Sequence, residues 1–224
     1  MKKILVLWII IIFLLTVTLS FAADKDLEIR GQQLISMKPP FSLRLPLPLY
    51  LVYSFSQNHP EEGSLTRGYF FVQPQGKQVE DMLILQISDK TNPQAAPMTL
   101  PLIKPYTEKR SYVKEKIKKG ELTGEVLIQL MAWNPDAPSL QPLMKKGISI
   151  PSYWALQGQF TFLYLGDHAV SIRYSKDVRS FGMKVSEEGK AWDKDAISSN
   201  EKKAVDAFKQ VFTEMVHSFE VQSQ

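Results

Sequence analysis

The sequence predicts an α+β domain in which an antiparallel β-sheet is covered by a long C-terminal helix. Three observations predict it. Phe160, Phe162 and Tyr164 alternate with Thr161, Leu163 and Leu165, and Val170, Ile172 and Tyr174 alternate beyond Gly166-Asp167. That pattern marks a hairpin over 159–175 with a two-residue turn, because glycine tolerates the positive φ of tight turns. Ala204, Val205, Phe208, Val211, Phe212, Met215, Val216 and Phe219 recur at steps of three and four, one apolar stripe on a helix. Between residues 41 and 132 a series of β-rich segments supplies the surface that such a helix must cover.

Taken in order, the chain opens with Met1-Lys2-Lys3, an apolar run from Ile4 to Leu19 broken only by Thr16 and Thr18, and Ser20-Phe21-Ala22. A positive start, an apolar stretch and small residues before the polar Asp24-Lys25-Asp26 define a secretory signal over 1–22, cleaved after Ala22 or, alternatively, Ala23. The mature protein is then periplasmic or secreted. The alternative is an uncleaved segment that anchors the chain in the inner membrane, since the run approaches the roughly 20 residues needed to span a bilayer. Residues 23–40 read as a polar N-terminal extension, and 41–224 as one globular domain.

Within that domain Phe41 to Leu45 alternates until Pro46 and Pro48 interrupt it. Tyr50–Phe55, Thr66–Val72, Met82–Ile87 and Glu125–Ala132 are expected strands. Asn92–Pro105 carries four prolines and must be irregular, as must the proline-rich loop 134–142. Thr107–Lys119 is expected to be helical, with Tyr106, Val113 and Ile117 on one face and Gly120 ending it. Ser198 and Glu201 form a capping box for the last helix.

This layout resembles the PsbP/Mog1-like family. The resemblance rests on an exported domain that opens with Phe41-Ser42-Leu43 near prolines, continues through antiparallel strands and closes on a helix ending in Ser218-Phe219-Glu220-Val221. It covers residues 40 to 221 as a layout, and it implies an α/β/α-sandwich-like fold and an accessory or binding role rather than catalysis. It transfers no site residue, and the inserts at 92–105 and 134–142 depart from it.

Composition is that of an ordinary globular protein: 44% hydrophobic and 22% charged residues. Lys2 and Lys3 account for two of the net +4, so the charge balance gives no argument for nucleic acid. There is no cysteine, which excludes a disulfide framework, a lipoprotein anchor, a thiolate nucleophile and cysteine-held metal or haem.

Motif tests for catalysis fail. The three histidines, His59, His168 and His217, fall in different elements without ligand spacing, so no metal is expected. Gly63 to Gly68 has the glycine spacing of a phosphate loop, but Tyr69 and Phe70 replace the residues that neutralise phosphate and hold magnesium. Gly147-Ile148-Ser149-Ile150-Pro151 misses the nucleophile elbow at its last residue, and Ser199 to Lys202 lacks the companion motifs of the penicillin-recognising enzymes. The acid pairs Glu61/Glu62, Glu80/Asp81, Glu187/Glu188 and Asp193/Asp195 read as solvated turn residues.

Two features point to contact with a partner. Lys104, Lys109, Arg110, Lys114, Lys116, Lys118 and Lys119 face only Glu108 and Glu115, an excess of five positive charges that suits anionic lipid or an acidic partner. Trp133, Tyr153, Trp154 and Trp192 lie near loops and element ends, where exposed rings stack on sugars or anchor proteins. The expectation is an exported, non-catalytic accessory or binding protein of the cell envelope, with no cofactor, whose partner is a protein, an envelope component or an anionic lipid surface. The alternatives are an envelope hydrolase acting through carboxylates that the sequence does not locate, and a peripheral membrane protein using the basic segment 104–119.

Overall fold

The fold begins earlier than the sequence pattern suggests. In the computed structural model, which describes residues 26–75, 78–120, 122–134, 136–150, 154–164, 166–185 and 189–222, strands β1 (Leu27–Arg30) and β2 (Gln33–Met37) form a hairpin turned at Gly31, φ +61°. The stretch expected to be an extension is therefore structural from residue 27 onwards. Its short alternations of Leu27 and Ile29, then Leu34 and Ser36, are too brief to stand out as strands, yet Leu34 is fully buried. The signal segment 1–22 and its cleavage site lie outside the described residues, as do Tyr153, Glu187 and Glu188. Among the described residues no helix is long and apolar enough to cross a membrane.

Strand β3 (Pro40–Arg44) continues the first sheet. Strands β4 (Tyr50–His59), β5 (Ser64–Gln75) and β6 (Gln78–Lys90) form a meander, each longer than its apolar centre implied because ladder pairing carries the polar ends along. After the proline-rich 92–105 stretch and a 3-10 turn at Glu108–Arg110 comes β7 (Ser111–Lys119), paired with β8 (Leu122–Ala132). The helix expected at 107–119 is thus a strand. Val113 and Ile117 stand four apart, a spacing that fits both periods, while Lys114, Lys116 and Lys118 alternate with Val113, Glu115 and Ile117 as a strand requires. Gly120, φ +59°, serves the hairpin turn rather than a helix end.

A short helix, α1 (Gln141–Lys145), precedes the β9 (Trp154–Tyr164) and β10 (His168–Asp177) hairpin. Its pairing starts at Tyr164 and His168, so the turn holds three residues rather than two, with Gly166 at φ +72°. Helix α2 (Ser199–His217) and β11 (Glu220–Val221) close the chain. Ser198 takes the N-cap position with extended backbone, but its side chain makes no cap hydrogen bond, so the capping box is not formed. Burial above all, with smaller contributions from the charges of Asp193 and Glu201, disfavours ionisation of Tyr112.

Among the described residues the eleven strands form two antiparallel sheets, of order β1-β2-β3-β11 and β4-β5-β6-β10-β9-β8-β7. The molecule is mostly β, so α+β holds in outline: antiparallel sheet plus one long C-terminal helix. That helix and the small sheet share one face of the large sheet. Phe212 sits 5.8 Å from Phe160, Phe208 is stacked 5.7 Å from Tyr174, and Phe219 stacks on both Phe41 and Phe162. The opposite face carries a second apolar cluster, built from Trp133, Leu140, Leu143 and Ile150 over Phe70, Val72 and Met82. Beside it the 92–105 segment crosses the sheet with Ile103 buried, donating from Ile103 N to Glu125 Oε2 at 3.4 Å.

Candidate functional site

Strand β7 is an edge of the large sheet, and the strand period sorts its charges. Lys114, Lys116 and Lys118 are opposite Leu127, Glu125 and Thr123, all on the face away from α2. Successive lysines therefore rise about 7 Å apart along one face. All three are exposed and form no ion pair among the described residues. The bond from Ile103 to Glu125, the partner of Lys116, brings the exposed Lys104 to the same edge. Leu102 and Tyr106, at 72% and 56% exposure, flank it. The proline-rich composition of the 92–105 segment hid Leu102, since nothing in it shows which apolar residue faces out, while Tyr106, expected on the apolar face of a helix, is instead exposed beside a strand.

Two of the seven expected basic residues are occupied within the fold. Arg110 Nε donates to Asp193 at 2.8 Å, and its guanidinium lies 4.8 Å from the Trp154 ring centre. Lys119 Nζ donates to the carbonyls of His217 and Phe219, where it satisfies the C-terminal end of α2. Lys109 is exposed on the 3-10 turn.

The aromatic group does not assemble. Trp192 is fully buried in the main core and Trp133 lies in the second cluster on the opposite face, so neither presents a ring to solvent. Trp154 is half-buried between Arg110 and Tyr106. Apolar area drives these rings inward whatever the local loop content.

On the α2 side of β7 lies an open groove of about 400 Å³. Ile117, Val126, Phe162, Phe212 and Val216 form its apolar wall, with Lys119 and His217 beside them. It exists because a single helix is about 10 Å across and cannot cover a sheet of seven strands spaced near 4.8 Å.

Two ionisable clusters are buried elsewhere. Asp89 accepts from Arg67 at 2.6 Å and lies 2.8 Å from His168 Nδ1, while Arg67 also reaches Asp26 at 2.8 Å and the Lys38 carbonyl. Burial pushes the Asp89 carboxyl up, but the His168 bond and the Arg67 charge outweigh it and hold it below the ordinary range. Asp81 accepts from Tyr174 Oη and pairs with Lys176 at 2.9 Å; burial dominates there and raises it. An imidazole held by a carboxylate is half of an acid–base relay, yet no hydroxyl among the described residues hydrogen-bonds His168. No group of three or more metal-ligating side chains occurs among the described residues.

The chain matches no protein-family model, no curated protein and no solved structure.

Proposed function

We propose that the protein is an exported, non-catalytic binding protein of the cell envelope that docks on anionic lipid through the β7 edge. The observation that carries the reading is the row Lys114, Lys116 and Lys118 on one face of an exposed edge strand, joined by Lys104 beside the exposed Leu102. Lysines on an edge strand also discourage pairing with another sheet, so the same row favours a charged surface over a strand as its partner. Leu102 and Tyr106 add the apolar contact that lipid interfaces reward. The signal-like pattern of residues 1–22 supports a location in the periplasm or outside the cell. One long helix on an antiparallel sheet supports an α/β/α-sandwich-like, PsbP/Mog1-like reading, with α1 and the loops of the second face in place of a second helical layer.

Flotation with phosphatidylglycerol vesicles, against phosphatidylcholine controls, tests the proposal. Binding is expected only to the anionic vesicles. It should fall as salt rises from about 0.1 M to about 1 M, where the screening length drops from roughly 10 Å to 3 Å. Each lysine near such a surface contributes about 1 kcal/mol. Lys114→Glu with Lys118→Glu should therefore weaken binding at least about thirtyfold. Unchanged binding by that variant would sink the lipid reading and leave a protein partner in its place.

A further inference from the structure

Arg173 stands apart from the other arginines. Of the six in the chain, Arg30 pairs with Glu28, Arg67 with Asp26 and Asp89, Arg110 with Asp193, and Arg179 with Asp177, while Arg44 is exposed. Arg173 lies at the centre of the large sheet, on the middle of β10, on the face away from α2. Its one hydrogen bond among the described residues is to Gln86 Oε1 at 3.4 Å, and its Nε is buried with no partner. A guanidinium presents five donors and cannot discard its proton. Holding it partly desolvated with no counter-charge is unfavourable, and burial alone pushes its pKa down.

The surroundings are polar and neutral. The register sets Gln159 directly opposite Arg173 and Thr161 diagonally from it, about 7–8 Å away. Gln159 Nε2 donates to Ser171 Oγ at 3.4 Å. Thr161 is fully buried, and its Oγ1 also lacks a partner among the described residues. Two orphaned polar groups as diagonal neighbours on one face are unusual in a folded core, where such groups find partners. Arg173, Gln86, Gln159 and the adjacent Ile84 are only half-buried, so this part of the sheet is within reach of solvent. On the Ile84 side the surface continues into an aromatic group: Tyr53 lies 5.7 Å and Phe55 6.4 Å from Phe70.

We propose that Arg173 is the anchor of an oxyanion-binding site on the second face of the large sheet, taking the carboxylate or phosphate of a small organic ligand. Arg173 supplies the charge and a bidentate donor fork. The half-buried Gln86 and Gln159 supply neutral donors, and Ile84 with the aromatic group walls the rest of the molecule. This site is separate from the lysine row and does not depend on lipid binding.

The test is a thermal-unfolding titration of the protein with phosphate, sulfate, acetate and benzoate, each against chloride at constant ionic strength. At least one oxyanion should raise the unfolding temperature saturably. Phosphate against benzoate separates a phosphate preference from a carboxylate one. Arg173→Gln should weaken the response roughly tenfold to a hundredfold, the range expected for hydrogen bonds to a charged group. Lys114→Glu with Lys118→Glu should leave it intact, which separates the site from the β7 edge. Arg173→Met, in the absence of anion, should unfold no lower than the parent, because it removes a charge that lacks a counter-charge. A parent protein with no saturable response, or Arg173→Gln with an unaltered one, overturns the site. Lowered stability of Arg173→Met together with no anion response identifies the arginine as structural.

Discussion

Asp89 and Asp81 lie on one strand, β6, and both are buried, yet their carboxyls shift in opposite directions. At Asp89 burial disfavours the charge, but His168 and Arg67 together more than reverse that. The folded state therefore takes up a proton less readily than the unfolded chain. Its contribution to stability is complete above the ordinary carboxylate value of 3.8 and is lost as pH falls through the lower folded value. At Asp81 the sign is the other way: burial exceeds the help from Tyr174 and Lys176, and stability falls as pH rises from 3.8 towards the raised folded value. Asp89→Asn should flatten the acid limb of a melting-temperature profile. At neutral pH it should lose about 3 kcal/mol, the lower end for a broken buried pair, because Arg67 retains Asp26 and the Lys38 carbonyl. An acid limb that retraces the parent would show that the loss arises elsewhere. None of this network was legible in the sequence, because Asp26, Arg67, Asp89 and His168 meet only once three strands and the residues before β1 have come together.

At the level of elements, what the sequence reveals depends on whether a pattern fits one period or two. The β9–β10 hairpin alternates over two long runs, and α2 repeats an apolar stripe over its length, so each has a single reading. β7 is ambiguous because Val113 and Ile117 serve both periods, and the free edge of β8 decides in favour of a strand. The same ambiguity hid the lysine row. Seven basic residues were visible as composition, but which of them share a face follows from the period. The docking of α2 on the hairpin turns on Gly158. A Cβ there would lie within 2.5 Å of the Phe212 ring, so the helix approaches as closely as it does only because that atom is missing. Gly158→Ala should destabilise the fold by about 1–3 kcal/mol through overpacking. Adding Phe212→Leu should recover part of that loss in a double-mutant cycle. Additive effects in the cycle would mean that the glycine is needed for backbone reasons and not for this contact.

At the scale of the whole molecule, the two ends of the described chain close the fold together. β1, β2 and β3 come from residues 27–44 and β11 from 220–221, and the four make one sheet. Ser218 Oγ accepts from Arg44 N at 2.9 Å, and Gln222 N donates to the Pro40 carbonyl at 3.0 Å. Phe219 lies between them, stacked on Phe41 of the small sheet at 5.0 Å and on Phe162 of the large one at 4.7 Å. The β1–β2 hairpin covers this junction: Leu34 is fully buried in the main core, and Asp26 and Lys38 both serve the buried Arg67. Deleting residues 26–38 therefore does more than trim a tail. It removes a buried leucine worth about 1.5–3 kcal/mol, leaves β3 paired only with the two residues of β11, and strips Arg67 of two of its partners, with a further loss of comparable size. The sum is of the order of the whole stability of a typical domain at its lower end, about 5 kcal/mol. At roughly 2–4 °C per kcal/mol for a chain of this size, the shortened protein should melt about 10–20 °C lower, by circular dichroism, in a broader transition. Melting at the parent temperature would instead make 26–38 a dispensable extension, and would mean that Asp89 alone suffices to hold Arg67 in the core.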